Sequence, residues 1–299
     1  MFPVGELAAL STAACWSVGS LLFAHVAERV GPFALNQFRL TLAALVFIVV
    51  LLVTGLVHSL PVMGSSSMGW LALSGVIGLV IGDSGYFGAL ARLGPRVSTL
   101  IASALTPPIT AVLALLFLHE KLGWLGVAGM ALTLAGITWV VLDRPATPMP
   151  AGHRLHGILL GILAAACQAV GLILARHGMG DDLDPLVAVS IRMVAAAVTI
   201  WVVAVVLGRL DGPARILKQP DVRLAAGGAT ILGPLLGVWL SLVAVRYAGT
   251  AVAATLMSTV PILILPLVVL VRKEQVGGRA VLGAVLAVAG VALLFVRHG

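Results

Sequence analysis

The chain has 299 residues, of which 61% are hydrophobic and only 10% are charged, whereas soluble domains use about 45–50% apolar and about 25% charged residues. This composition excludes an ordinary water-soluble fold. The net charge of +7 lies mainly in short connections between apolar runs, which suits lipid headgroups rather than nucleic acid.

Apolar stretches of about 20 residues, the length of a helix that crosses a bilayer, recur along the chain. They lack the period-two alternation of barrel strands, so we predict an all-α integral membrane protein. The ten predicted spans lie near 5–27, 33–54, 68–91, 96–118, 122–142, 155–177, 185–208, 222–246, 250–271 and 277–297.

The two halves of the chain resemble each other at an offset close to 153 residues, which predicts a duplication. We expect a first five-span repeat over 1–143, a linker over 144–153 and a second five-span repeat over 154–299. Because five is an odd number, the second repeat should be inverted, around a central cavity. The matching positions are Cys15 with Cys167, Arg39 with Arg192, Pro107 with Pro261, Glu120 with Glu274, and three glycines in each closing span.

Several of these residues also resemble a known family. The segment 14–19 contains a Trp and a Gly, Arg39 lies early in the second span, and 86–122 carries a proline. This pattern resembles the drug/metabolite transporter superfamily, in particular its ten-span EamA-type members and, within them, YddG-like exporters of aromatic amino acids. The second half departs from the pattern, since Gln168 replaces the Trp and 272–275 lacks the apolar lead-in.

The orientation of the chain has two predictions that disagree. Lys and Arg are concentrated in the loops after the odd-numbered spans, and the positive-inside rule therefore places both termini outside. The family resemblance implies cytoplasmic termini.

A proline in the fourth span of each half indicates a kinked or discontinuous helix. Pro107 and Pro261 each free a carbonyl one turn earlier, near Ser103, Thr106 and Ser258. Such interruptions at corresponding places mark transporter binding sites. A kink that only shapes packing is the alternative for each proline alone.

Asp83 is an acidic residue well inside a predicted span. A carboxylate there costs at least roughly 2.5 kcal/mol, so it should face the interior and have a partner. It would bind a substrate ammonium or a coupling proton, or else it is a structural carboxyl bonded to Ser84, Tyr86 or a basic side chain. Arg39 and Arg192 are interpreted as snorkelling residues or as residues that hold a helix end.

The resemblance implies that the first spans line the cavity, and aromatic residues with a polar group suit an amino-acid-sized solute. The residues predicted to bind substrate are Trp16, Ser17, Ser20, Asp83, Ser84, Tyr86, Ser103, Thr106, Pro107, Gln168, Trp239, Ser258 and Pro261.

The sequence contains no nucleotide-binding loop, metal-ligand spacing or nucleophile elbow. We therefore expect no cofactor, no metal and no enzymatic activity. The predicted function is gradient-driven export of amino acids or similar small metabolites across the inner (cell) membrane by alternating access. Multidrug or nucleotide-sugar exchange, and a membrane-embedded enzyme or lipid-handling scaffold, are the alternatives. The glycines of the closing spans should pack within the chain, which favours a monomer over a dimer.

Overall fold

The computed structural model describes residues 3–60, 63–119, 123–142 and 151–264, and beyond these only isolated positions between 267 and 293. Every regular element in this part of the chain is helical. In the first half the helices are α1 (Val4–Val30), α2 (Pro32–Thr54), α3 (Ser65–Gly75), α4 (Asp83–Phe117) and α5 (Trp124–Leu142). In the second half they are α6 (Ala151–Met179), α7 (Pro185–Val206), α8 (Gly212–Leu217), α9 (Pro220–Thr230), α10 (Val238–Ala248) and α11 (Thr250–Met257).

Seven helical segments of the described chain are long and apolar enough to cross a membrane. The described chain also contains two shorter apolar helices. Trp124–Gly136 follows the fourth of these segments, and Thr250–Ile264 follows the seventh. These nine segments coincide with the first nine predicted spans. The tenth, predicted near 277–297, lies mostly outside the described residues, so the count of ten stays a prediction. Most of the predicted linker also lies outside them, and α6 begins at Ala151.

The third span of each half contains a seven-residue π-helical turn, which the sequence did not predict. The first turn spans Val76–Gly82 between α3 and α4, and the second spans Ile231–Gly237 between α9 and α10. Their first residues are 155 positions apart, close to the offset found in the sequence. Wide turns of this kind interrupt α-helices mainly at functional sites. The matched positions support the internal repeat.

Glycine also ends the third span of each half. Gly94 has φ 74° and ψ 168°, and Gly249 has φ 81° and ψ 151°. This backbone region is open essentially to glycine alone. Gly94 therefore breaks α4 into two helices. The helix is not interrupted at Pro107, because residues 95–117 are helical throughout. The corresponding helix of the second half is interrupted at Ser258 and Thr259, just before Pro261.

The two halves meet where small residues allow helix backbones to approach closely. A Cβ atom added at Gly75 would lie 2.3 Å from the carbonyl oxygen of Arg192 in α7, and one at Gly171 in α6 would lie 3.1 Å from the Cα of Gly78. The closing spans use the same device, since a Cβ at Gly136 would lie 2.5 Å from the carbonyl oxygen of Gly283. Gly136 of the first closing span thus packs within the chain, as predicted.

We expect Gly75→Ala to destabilise the protein by about 1–3 kcal/mol, the usual cost of overpacking, because the added methyl group meets backbone that cannot rotate away. Gly227→Ala in α9 is the matched control, since nothing lies within 4 Å of its added Cβ. That control should be neutral or stabilising by up to about 1 kcal/mol through helix propensity. Thermal unfolding of the purified protein in detergent measures both. Equal melting temperatures would show that the two halves do not approach at Gly75.

Candidate functional site

A cavity of about 140 Å³ lies in the interior where the two halves meet. The first half contributes Trp16 and Ser20 from α1 and Asp83 from the start of α4. The second half contributes Gln168 from α6, Arg192 from α7 and Ser258 after α11. Charged, polar and aromatic side chains thus lie among the apolar residues that form the rest of the cavity wall.

Asp83 lies at the centre of a hydrogen-bond network that joins the halves. It is 6% exposed and directly follows the first π-helical turn. Its Oδ2 accepts a hydrogen bond from Nη2 of Arg39, and its Oδ1 accepts one from Nε2 of Gln168 at 2.7 Å. Of the partners predicted for Asp83, the structure shows the basic side chain. Both carboxylate oxygens are therefore engaged, one from each half.

Besides Asp83, the side chain of Arg39 contacts an amide group and two aromatic rings. Its Nε donates to Oδ1 of Asn36 at 2.8 Å, and its guanidinium lies 4.9 Å from the ring centroid of Phe87 and 5.7 Å from that of Phe23. Aromatic faces attract cations at these distances. The side-chain amide of Asn36 also donates to the carbonyl oxygen of Leu79 at 3.1 Å, which satisfies a carbonyl of the π-helical turn.

The interpretation of Arg39 and Arg192 as snorkelling or helix-end residues is wrong. They are 3% and 2% exposed, and both line the cavity. Each is the eighth residue of its helix, about 10 Å from the helix start at 1.5 Å per residue. Depth along the helix was visible in the sequence, but the side of the helix that faces the protein was not. Their matched positions in the two halves were the signal that could have identified them.

Eight of the predicted substrate-binding residues line the cavity. In the first half these are Trp16, Ser20, Asp83, Tyr86, Ser103 and Thr106. In the second half they are Gln168 and Ser258. The hydroxyl of Tyr86 lies 3.2 Å from Oγ1 of Thr99, another lining residue that sequence reasoning missed.

Five predicted residues lie outside the cavity lining. Ser17 turns away, because its Oγ donates to the carbonyl oxygen of Val260 at 3.2 Å and to that of Ala13 at 2.7 Å. The hydroxyl of Ser84 accepts a hydrogen bond from Asn36 at 2.9 Å. Trp239 packs against the hydrophobic core beside the cavity. The remaining two are Pro107 and Pro261, which are buried next to the lining residues Thr106 and Val260.

Each π-helical turn lies against the first helix of the other half. A Cβ added at Gly237 would lie 2.4 Å from Nε1 of Trp16, and one at Gly82 would lie 3.0 Å from the Cβ of Cys167. Glycine at the end of each turn therefore leaves room for the residues that reach the cavity. Because each half contacts the first helix of the other in this way, the cavity lies where the two halves meet.

The comparisons with known proteins agree with this architecture. Solved structures of 29 chains match. One, described only as a crystal structure of a protein, aligns over 98% of this chain and 96% of that chain, with a TM-score of 0.76 and 20% sequence identity. At that identity the likeness shows the fold alone. No curated protein matches the chain.

The match to a protein family is more specific. The EamA-like transporter family matches twice, over residues 3–142 and again over residues 155–296. Together these two matches cover nearly the whole chain and correspond to its two halves. The protein is therefore a multi-pass membrane protein that belongs to the EamA-like transporter family.

Proposed function

We propose that the protein is a gradient-driven secondary carrier that exports amino acids or similar small metabolites across the inner (cell) membrane. The observation that carries this proposal is the cavity, because two related halves line it jointly with charged side chains deep in the helix bundle. Charged residues within transmembrane segments are costly and mark substrate or ion pathways. A duplicated fold also supplies two packings of similar energy, which is the basis of alternating access.

The lining favours a small solute with a charged group over a larger one. Arg192 supplies a positive charge, while Trp16 and Tyr86 supply aromatic surface with polar groups. The volume of about 140 Å³ is below the roughly 300–1,000 Å³ of pockets that hold drug-sized ligands. This size argues against multidrug or nucleotide-sugar exchange.

Counterflow in reconstituted vesicles tests the proposal. Vesicles preloaded with an unlabelled amino acid should take up the same labelled amino acid faster than unloaded vesicles or protein-free liposomes, with saturation. The panel should include aromatic, aliphatic and hydroxyl amino acids. If no member of the panel shows protein-dependent counterflow, amino-acid transport is rejected.

The proposal also includes the inverted orientation of the two repeats. Ser66 and Lys218 are exposed and precede or begin the third span of their half. Single cysteines at these positions, in a chain with Cys15 and Cys167 replaced by alanine, should react with a membrane-impermeant maleimide from opposite sides. The side on which each reacts also decides between termini outside and termini in the cytoplasm. Reaction of both from the same side would exclude inversion.

A further inference from the structure

Arg192 is a buried cation with unused hydrogen-bonding capacity at two of its three nitrogen atoms. It is 2% exposed and lines the cavity. Its Nε and Nη1 are buried, and in the part of the chain that the structure describes they have no hydrogen-bond partner. Charged groups in protein interiors are normally paired and hydrogen-bonded. Two unpartnered nitrogen atoms of a guanidinium at a cavity wall therefore require an explanation.

The internal repeat shows what Arg192 lacks. In the first half Arg39 pairs with Asp83, which directly follows the first π-helical turn. In the second half the residue that directly follows the corresponding turn is Val238, and it also lines the cavity. The position after the turn thus carries a carboxylate in the first half, where it pairs with Arg39, and an isopropyl group in the second half.

Asp83 does not fill this gap. Its two oxygens already accept hydrogen bonds from Arg39 and Gln168. Among the described lining residues the charged groups are two guanidinium groups and one carboxylate, which leaves one positive charge in excess. The cavity is therefore electrostatically complementary to one negative charge.

We infer that Arg192 binds the carboxylate of the transported solute, and that the pair of Arg39 and Asp83 does not. This inference rests on the proposed carrier function and deepens it. A carboxylate supplies both the missing counter-charge and acceptors for Nε and Nη1. Charge-assisted hydrogen bonds of this type are about twice as strong as neutral ones. The carboxylate of the solute then pairs with Arg192 in the second half, as Asp83 pairs with Arg39 in the first half.

Binding of carboxylates, and of derivatives in which a neutral amide replaces the carboxylate, to the purified full-length protein tests the inference. The probes are phenylalanine, leucine and serine, the amide of each, and 3-phenylpropionate, with phosphate and chloride as inorganic anions. Calorimetry and thermal shift should show at least one carboxylate binding about tenfold or more tightly than its amide, as expected for a hydrogen bond to a charged group. Arg192→Gln should abolish this preference, and Arg192→Lys should keep part of it. The matched control is Arg215→Gln, because Arg215 is exposed and lies in α8, outside the cavity.

Chemical modification of the unmutated protein keeps the test decisive if Arg192→Gln does not fold. Phenylglyoxal should modify Arg192, and a bound carboxylate should protect it, as read by mass spectrometry. Equal binding of acids and amides would overturn the inference. A result in which phosphate or chloride binds and no carboxylate does would also overturn it. The same holds if no carboxylate in the panel prevents the adduct at Arg192.

The outcomes separate this inference from the proposed function. If 3-phenylpropionate binds through Arg192 while no amino acid shows counterflow, the carboxylate site stands and amino-acid transport is rejected. If amino acids show counterflow at unchanged affinity in Arg192→Gln, the carrier function stands and the role of Arg192 is rejected.

Discussion

Asp83→Asn is expected to lower the free energy of unfolding by about 3–5 kcal/mol, the usual cost of removing one partner of a buried ion pair. The substitution keeps the shape of the side chain but removes its charge. Arg39 would then be a cation at 3% exposure that has lost the carboxylate with which it pairs. Denaturant or thermal unfolding in detergent micelles measures the change, and the yield of monodisperse protein reports it independently.

A second variant distinguishes the effect of leaving Arg39 without its counter-charge from the effect of losing the contact between Arg39 and Asp83. The double variant Arg39→Leu with Asp83→Leu removes both charges, and apolar replacement of a complete buried pair is often neutral or stabilising. We therefore expect it to recover most of the lost stability. Asp211→Asn is the surface control, because Asp211 pairs with Arg215 at 3.0 Å with both side chains about half exposed or more. Such pairs contribute at most about 1 kcal/mol. If Asp83→Asn is as mild as Asp211→Asn, the buried pair does not stabilise the fold.

Transport by the double variant distinguishes the interpretations of Asp83 that the sequence left open. A structural carboxyl is dispensable once its charged partner is also removed, whereas a carboxyl that binds a coupling proton or an ammonium is not. Because Arg39 and Gln168 occupy both oxygens of Asp83, we expect counterflow in the double variant. A folded double variant without counterflow would assign the pair of Arg39 and Asp83 to the transport mechanism.

The positions of the spans could be predicted because lipid imposes a simple rule. Every backbone polar group must be paired within its own helix, so each crossing needs about 20 apolar residues. The first nine predicted spans therefore coincide with apolar helices, with ends shifted by a few residues. The duplication was visible for a related reason, since Arg39 and Arg192 stand out against an apolar background.

Which side chains face the cavity could be predicted only in part. Ser17 and Ser20 lie within one turn of α1, yet Ser20 lines the cavity and Ser17 bonds to the carbonyl oxygen of Val260. The difference depends on a neighbour 243 positions away in the sequence. The π-helical turns escaped prediction as well. In the first turn a backbone carbonyl is satisfied by a distant side chain, that of Asn36.

Ser20→Trp is expected to reduce transport at least about tenfold while the protein stays folded. Ser20 is 3% exposed and lines the cavity. Aromatic side chains are among the largest, so an indole would occupy much of a space of about 140 Å³. Overpacking costs about 1–3 kcal/mol, which thermal unfolding measures beside counterflow.

Ser11→Trp is the control for this prediction, because Ser11 lies on the same helix but is exposed. It adds the same side chain to the outer surface, and it should leave counterflow and stability close to those of the unmodified protein. If Ser20→Trp folds and transports as fast as Ser11→Trp, the solute does not pass through this cavity. Loss of counterflow in Ser20→Trp alone places the transport path at the junction of the two halves, between the carboxylate of Asp83 and the guanidinium of Arg192.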